Sequence, residues 1–163
     1  MGNSQQEFAI RAIGHVRSTR SAAVDDFWGG TVATIELDAE QFDASALAGL
    51  TDFSHVQIVY VFDRVDPAKI VTAAEHPREN PAWPKVGIFA QRKKNRPNRL
   101  GLSTCRLVSV DGITIAVAEL DAIDGTPVVD IKPYVLEFEP RREETRQPKW
   151  ISELMADYFK AKA

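Results

Sequence analysis

RLVSVDGITIAVAEL, residues 106–120, is the stretch that decides the fold class. Two runs rich in β-branched residues, 106–110 and 113–120, flank the dipeptide Asp111-Gly112. Aspartate followed by glycine supplies the positive φ angles of a tight hairpin turn, so the segment predicts two antiparallel strands. It is the strongest short-range signal in the chain.

Further strand-like runs lie on both sides of this hairpin, at residues 8–16, 31–37, 56–62 and 128–138. The 56–62 run is almost wholly apolar, which predicts a central strand buried on both faces. Because no long helical pattern separates the runs, we predict a mainly β fold, a small antiparallel β-barrel with short helices.

The remaining organisation follows from caps and composition. Asp38 predicts a short helical turn, and Asp43 predicts a second one ending at Gly49. Residues 141–147 form a charged linker, after which Pro148 and apolar residues at helical spacing predict a C-terminal helix over 148–161. We expect a disordered N-terminus (1–7), a barrel domain (8–140), and a linker with a C-terminal helix (141–163) that docks on the barrel or on a second subunit.

Composition excludes several classes of protein. The 163 residues include 44% hydrophobic and 26% charged side chains, as in a soluble globular domain, and neither a membrane span nor a signal peptide is evident, so we predict a cytoplasmic protein. A single cysteine, Cys105, excludes an internal disulfide, and its alternation with leucines predicts burial. The three histidines lack metal-ligand spacing, so no metal is expected, and His55 is predicted to be a structural hydrogen-bonding residue. Neither a P-loop nor a GxGxxG motif is present.

Positive charge is concentrated in residues 76–105, HPRENPAWPKVGIFAQRKKNRPNRLGLSTC, which we call the basic segment. Seven arginines and lysines face one acidic residue, Glu79, although the chain carries a net charge of −3. A basic patch on an acidic body predicts one defined site for a phosphate or carboxylate. The apolar run 86–90 predicts an embedded strand, which favours a binding loop on a rigid scaffold over a solvated loop.

A second segment, LDAIDGTPVVDIKPY (120–134), offers the carboxylates of Asp121, Asp124 and Asp130 beside a Gly-Thr-Pro turn. Arginine binds a carboxylate in a fork, and an acidic group attracts an ammonium, so the two segments together are suited to a small zwitterion. Alternatively, Asp121 and Asp124 only build the turn. Likewise, Phe27 and Trp28 in the loop 18–30 either pack on the core, which we favour, or line a ligand pocket.

Five motifs in order resemble those of the TsaA-like, TrmO-type family: FSHV (53–56), HPRENP (76–81), VGIFAQR (86–92), RPNRLGLS (96–103) and LDAIDGTPVVDIKPY (120–134). The resemblance runs from about residue 10 to residue 134. It implies a β-barrel unlike the Rossmann methyltransferases, usually a homodimer. Characterised members use S-adenosylmethionine to methylate N6 of the threonylcarbamoylated adenosine just 3′ of the tRNA anticodon.

The same resemblance implies roles for individual residues. Cofactor contacts would fall on Asp63, Arg64, Arg92, Arg96, Asn98, Leu100, Asp124, Gly125, Thr126 and Pro127, with Arg96 and Asn98 shaping their loop. Lys93, Lys94 and Arg99 would bind tRNA phosphates. Asp63, Asp121 and Asp124 have the right chemistry to accept a proton from the substrate, but the sequence assigns no catalytic base.

The chain departs from the family pattern in three places. Residues 25–30 read DDFWGG where bacterial members carry a proline-arginine-glutamine element, and Asp63-Arg64 stand where those members have a histidine. Residues 141–163 do not match the larger C-terminal domain of the long bacterial members. Despite these departures, the resemblance implies a methyltransferase acting on tRNA. The alternatives are a methyltransferase with a changed substrate, a non-catalytic S-adenosylmethionine-binding protein and, less favoured, an RNA-binding barrel without cofactor.

Overall fold

The predicted hairpin is present in the structure. In a computed structural model, which describes residues 6–162, strands Leu100–Asp111 and Thr114–Ala118 pair antiparallel, and Asp111 faces Thr114. The turn residues are therefore Gly112 and Ile113, one position later than predicted. Gly112 alone of the two has a positive φ, 58°. The hairpin is confirmed, with its turn shifted because Asp111 remains in the ladder.

Eight strands are present in the described residues: β1 (Gly14–Arg17), β2 (Val32–Leu37), β3 (His55–Val61), β4 (Ala74–Glu75), β5 (Val86–Gly87), β6 (Leu100–Asp111), β7 (Thr114–Ala118) and β8 (Pro127–Pro133). Six of them close into an antiparallel barrel in the order β1-β2-β7-β6-β3-β8, and β4 pairs with β5 in a separate ribbon. The predicted mainly β barrel with short helices is confirmed.

Short helical pieces occupy the connections. The 3₁₀ turns span Ala44–Leu47, Leu50–Asp52, Pro67–Lys69, Pro77–Glu79, Ile88–Ala90, Pro97–Arg99, Leu136–Phe138 and Arg142–Glu144. Asp38 and Asp43 accept backbone hydrogen bonds at the two turns predicted for them. Within the described part of the chain, no helix has the length and apolar character needed to cross a membrane.

The strands of the barrel are buried on one face only, the face that points to the interior. β3 buries Val56, Ile58 and Tyr60, whereas the alternate residues are only half-buried on the outside, because no second layer covers that face. The prediction that 56–62 is buried on both faces is thus wrong. Cys105 points inward and is 1% exposed, as predicted.

Three other strands are shorter than predicted. β1 begins at Gly14, which faces the last residue of β2, Leu37. Ile13 still forms backbone hydrogen bonds with Val128 and Asp38, but residues 8–12 pair with no strand of the described structure, and Phe8 is 76% exposed. β8 ends at Pro133 and gives way to a 3₁₀ turn, and only Val86–Gly87 of the run 86–90 is strand.

The predicted C-terminal helix is also shorter. Helix α1 spans Lys149–Leu154 with Pro148 at its N-cap, and turns follow. Backbone carbonyls of residues 157, 158 and 160 accept hydrogen bonds from residues 27–29, which diverts the chain from the helix. The segment 149–162, which we call the C-terminal segment, therefore lies against the connection between β1 and β2. The domain boundaries remain a prediction, and residues 1–5 of the proposed disordered N-terminus lie outside the described residues.

Strand direction places three connections together. β1, β3 and β7 end, and β2, β6 and β8 begin, at the same end of the antiparallel barrel. The connections 18–31, 62–99 and 119–126 therefore meet there. We call this end the loop rim, and the connection 18–31 the first loop. The opposite rim carries residues 38–54, the hairpin turn and the chain after Pro133.

Candidate cofactor and RNA site

All thirteen candidate site residues lie at or next to the loop rim. The cofactor set comprises Asp63, Arg64, Arg92, Arg96, Asn98, Leu100, Asp124, Gly125, Thr126 and Pro127, and the phosphate set comprises Lys93, Lys94 and Arg99. They come from the connections 62–99 and 119–126 and from the first residues of β6 and β8. The fold thus groups residues that are up to 64 positions apart in the sequence at one end of the barrel. Their binding roles remain predictions.

The turn at Asp124 is built into the barrel. Its carboxylate accepts a hydrogen bond from the Ser18 amide at 3.0 Å, and the Gly125 amide donates to the Val16 carbonyl at 2.8 Å. Gly125 has a φ of 81°, which glycine adopts without strain. The buried Thr126 hydroxyl donates to the Ile123 carbonyl at 2.8 Å. Asp124 therefore builds the turn and joins it to the first loop.

Asp63 and Arg64, which follow β3 after Phe62, differ in their contacts. Arg64 donates from one nitrogen to the Asp124 carbonyl at 2.9 Å and from the other to the Ser21 carbonyl at 3.4 Å. It thereby clamps the 124–127 turn and the first loop together. The exposed Asp63 side chain makes no hydrogen bond with residues 6–162. Its carboxylate is free to accept a proton or a donor from a ligand.

Arginines shape the loop that leads into β6. Arg96 donates to the Gln91 carbonyl at 2.9 Å, and Arg99 donates to the Val65 carbonyl at 3.1 Å. Arg92 is exposed and donates to the carbonyl of Leu102. Asn98 has a φ of 63°, a left-handed conformation that asparagine tolerates better than most residues. These contacts fit the loop-shaping role implied for Arg96 and Asn98.

Ion pairs tie the basic segment to its surroundings. Arg78 forms a bidentate pair with Asp26 at 2.7 and 2.9 Å, Lys93 pairs with Glu75, and Lys94 lies 4.0 Å from Asp25. The hydrogen bonds that Arg78 donates to Asp26 raise the pKa of Arg78 further. Asp25 and Asp26 therefore fix the first loop against the basic segment, a role that sequence reasoning missed. Four cations of the segment form no salt bridge within the described residues: Lys85, Arg92, Arg96 and Arg99.

Asp121 is the centre of a hydrogen-bond network that the sequence did not reveal. Its carboxylate contacts the hydroxyls of Tyr60 at 3.1 Å and Tyr158 at 2.5 Å, together with that of Ser103. Burial, followed by the negative charge of Asp121, raises the pKa of both tyrosines. Asp121 therefore faces three hydroxyl groups and links the C-terminal segment to the barrel. The only sequence signal was a tyrosine within an otherwise mostly aliphatic strand.

The first loop is held from both sides. The Arg20 guanidinium lies 3.6 Å from the centroid of the buried Trp28 ring and donates to the Phe27 carbonyl at 2.6 Å. The Trp28 amide donates to the Tyr158 carbonyl at 2.7 Å. Trp28 is buried, at 4% exposed, but against Arg20 and outside the barrel's core cluster, and packing on the core is wrong for Phe27, whose side chain is exposed with a φ of 67°. His55, at the opposite rim, lies 2.8 Å from the Ser54 hydroxyl, in keeping with its structural role.

Comparisons with known proteins agree with this architecture. The chain is 38% identical over 113 residues to the human tRNA (adenine(37)-N6)-methyltransferase. This alignment covers 69% of this chain and 24% of the human protein. It is 37% identical over 98 residues to a probable S-adenosyl-L-methionine-binding protein of Pyrococcus abyssi, covering 60% of this chain and 50% of that protein. The crystal structure of TrmO from Pseudomonas aeruginosa superposes with a TM-score of 0.73 at 25% identity, covering 91% of this chain and 64% of that one.

The chain spans about a quarter of the length of the human relative and half of that of the Pyrococcus abyssi relative. The family model described as the tRNA-methyltransferase O N-terminal domain matches residues 25–140, which include β2 to β8 and all the motif residues. Because that match covers most of the chain, the protein belongs to the family of the tRNA-methyltransferase O N-terminal domain.

Proposed function

We propose that this protein is an S-adenosylmethionine-dependent tRNA (adenine-N6)-methyltransferase acting on the threonylcarbamoylated adenosine beside the anticodon. The observation that carries the proposal is the meeting, at one rim, of Arg92, the 96–100 loop and the 124–127 turn. The names of the human and archaeal relatives support the activity and the cofactor. A cytoplasmic, homodimeric enzyme is part of the same proposal and follows from the family resemblance.

The donor set at the loop rim fits the proposed cofactor chemically. S-adenosylmethionine carries a carboxylate, an ammonium and ribose hydroxyls. The guanidinium groups of Arg92 and Arg96 suit the carboxylate, and the Asp63 carboxylate and the backbone of the 124–127 turn suit the ammonium and hydroxyls. When bound, the cofactor supplies a methyl group on a sulfonium sulfur.

The protein's part in the reaction is mainly to position the substrate. Holding two reactants in the correct geometry can contribute about 7–11 kcal/mol. The N6 nitrogen of adenine must also lose a proton, which a nearby carboxylate can accept. Asp121 already faces three hydroxyls, Asp124 accepts the Ser18 amide, and Asp63 is proposed for the cofactor, so we assign the acceptor to none of these three aspartates.

The tRNA would approach the positive side of the loop rim. Lys93, Lys94 and Arg99 remain our proposed phosphate-binding residues, together with the unpaired Lys85. Lys93 and Lys94 already face carboxylates, so a phosphate would share them with Glu75 and Asp25. Arg99 has no such competitor among residues 6–162, since its guanidinium faces the Val65 carbonyl.

The test is calorimetry with S-adenosylmethionine, followed by a methyl-transfer assay on tRNA with and without the threonylcarbamoyl group. We expect micromolar cofactor binding and transfer to the modified tRNA, detected by mass spectrometry of the nucleosides. Absence of cofactor binding would overturn the proposal.

Cofactor binding without transfer would favour a second candidate, a non-catalytic S-adenosylmethionine-binding protein. Two observations support that candidate. The related protein from Pyrococcus abyssi is named a probable S-adenosyl-L-methionine-binding protein, without an activity. In this chain, the C-terminal segment also places the Tyr158 hydroxyl against Asp121 at the loop rim.

A further inference from the structure

One large aromatic side chain of the basic segment has no packing role in the described structure. Phe89 is 78% exposed, although phenylalanine is among the residue types most often buried. It belongs to the 3₁₀ turn Ile88–Ala90, between the ribbon strand β5 and Arg92. Neither the barrel core nor the contacts of the candidate cofactor residues account for it.

The backbone on both sides of Phe89 is fixed. Ile88 is 2% exposed, and its amide donates to the Ala73 carbonyl at 3.1 Å. Gln91 is 7% exposed, and its side-chain amide donates to the carbonyls of Glu75 and Val86 at 3.3 and 3.1 Å. Two buried anchors three residues apart therefore present the phenyl ring on a rigid turn, pointing to solvent.

Positive charge surrounds this turn in the chain. Lys85 and Arg92 are exposed and form no salt bridge with any carboxylate of residues 6–162. An exposed aromatic face beside unpaired cations is the combination by which proteins bind unpaired nucleotides, with the ring stacking on a base and the cations facing phosphates. A purely apolar partner would leave the same cations without counter-charges.

We propose that Phe89 is a stacking platform for an unpaired nucleobase of the RNA substrate. This inference rests on the proposed tRNA substrate and adds a recognition residue to it. Replacing an aromatic residue that stacks on a base measurably lowers the affinity for nucleic acid. Removing the Phe89 ring should therefore weaken RNA binding about tenfold. S-adenosylmethionine binding should not change, because the ring points to solvent.

The test measures the fluorescence anisotropy of labelled tRNA at fixed salt for Phe89→Ala, Phe89→Leu and Phe89→Trp. We expect the alanine and leucine variants to bind about tenfold more weakly and the tryptophan variant to retain affinity, since leucine is apolar but cannot stack. Phe138→Ala is the matched control, because Phe138 is 86% exposed on a 3₁₀ turn after β8, at the opposite rim. Calorimetry with S-adenosylmethionine is run on every variant.

Equal tRNA affinity in Phe89→Ala and the wild type would overturn the stacking proposal while leaving the methyltransferase proposal standing. A loss of S-adenosylmethionine affinity in Phe89→Ala would place the ring at the cofactor instead. A change of oligomeric mass in that variant would make Phe89 a protein contact. A wild-type protein that binds the cofactor but no tRNA would refute the stacking platform and the tRNA substrate together.

Discussion

Arg92 is the side chain through which the cofactor proposal can be tested most directly. It is exposed, and its only hydrogen bond in residues 6–162 goes to the carbonyl of Leu102, so it contributes little to the fold. We expect Arg92→Ala to raise the S-adenosylmethionine dissociation constant at least about tenfold, because a charge-assisted hydrogen bond contributes about 1.5–3 kcal/mol. Calorimetry gives the affinity, and thermal unfolding should show a nearly unchanged Tm.

Arg106→Ala is the control for that experiment. Arg106 is another exposed arginine, in the middle of β6 between His55 of β3 and Ala118 of β7, and it is not among the candidate site residues. Its removal should leave cofactor affinity unchanged. Equal affinities in the two variants would show that Arg92 lies outside the cofactor site.

Cys105 allows a prediction about pH that is independent of function. Burial, followed by the charges of Asp121 and Glu119, raises the pKa of its thiol from 9.0 to about 12. Above pH 9 the unfolded chain releases this proton while the folded protein retains it. The stabilisation is therefore complete below pH 9 and is lost as the pH rises toward 12, by up to about 1.4 kcal/mol per pH unit.

Denaturant unfolding of the wild type and Cys105→Ala between pH 8 and pH 11 measures this effect. The wild type should lose stability more steeply above pH 9 than the variant. Both curves should also fall at higher pH, because the buried Tyr60 and the half-buried Tyr158 have raised pKa values of their own. Parallel curves would mean that the thiol titrates normally in the folded protein.

The contact between the C-terminal segment and the first loop depends on one glycine. A Cβ atom at Gly29 would lie 2.0 Å from the Phe159 carbonyl oxygen, closer than any real contact allows. We therefore expect Gly29→Ala to displace the C-terminal segment and to expose the amides of residues 27–29, which donate to carbonyls of residues 157, 158 and 160. Hydrogen exchange of these amides should accelerate while the barrel strands remain protected.

Gly87→Ala is a suitable control, because a Cβ at Gly87 meets no atom within 4 Å. It should exchange like the wild type. If Gly29→Ala also left the exchange of residues 27–29 unchanged, the packing of the C-terminal segment on the first loop would be wrong.

The strands show which parts of this fold a sequence reveals. The Asp111-Gly112 hairpin was predictable because turn chemistry and β-branched residues act locally. The early start predicted for β1 was wrong because Phe8 and Ile10 alternate as in a strand but lie beyond Leu37, the last residue of β2 and the partner of Gly14. Alternation reports a tendency to form a strand, whereas pairing decides where the strand exists.

The site was predictable only in part, for a related reason. The motifs named Arg92 and the 124–127 turn, and the barrel topology then brought them to one rim. The Asp121 network joins Tyr60, Ser103 and Tyr158 across 61, 18 and 37 residues. No local periodicity encodes such contacts, and Tyr158 looked like an ordinary apolar residue of a helix.

Charge distribution over the barrel leads to the last prediction. The chain carries a net charge of −3, yet Lys85, Arg92, Arg96 and Arg99 form no salt bridge within the part of the chain that the structure describes. If the four proposed phosphate-binding residues, Lys85, Lys93, Lys94 and Arg99, meet phosphates of an unpaired strand, the plot of log affinity against log salt should have a slope of about −3. Cofactor affinity should depend far less on salt, because S-adenosylmethionine is a single small ligand.

Two variants distinguish direct contact with RNA phosphates from a general effect of the protein's net charge on RNA binding. Lys85→Ala should make the slope shallower by about one, since each phosphate contact releases its own counterions. Lys132→Ala removes an exposed lysine that pairs with Asp130 and stands opposite Gln57 on β3, near the opposite rim, so it changes net charge equally without touching the loop rim. Identical slopes for the two variants would mean that RNA responds only to net charge. A shallower slope for Lys85→Ala alone would locate the phosphate path at the loop rim, beside the turn that presents Phe89.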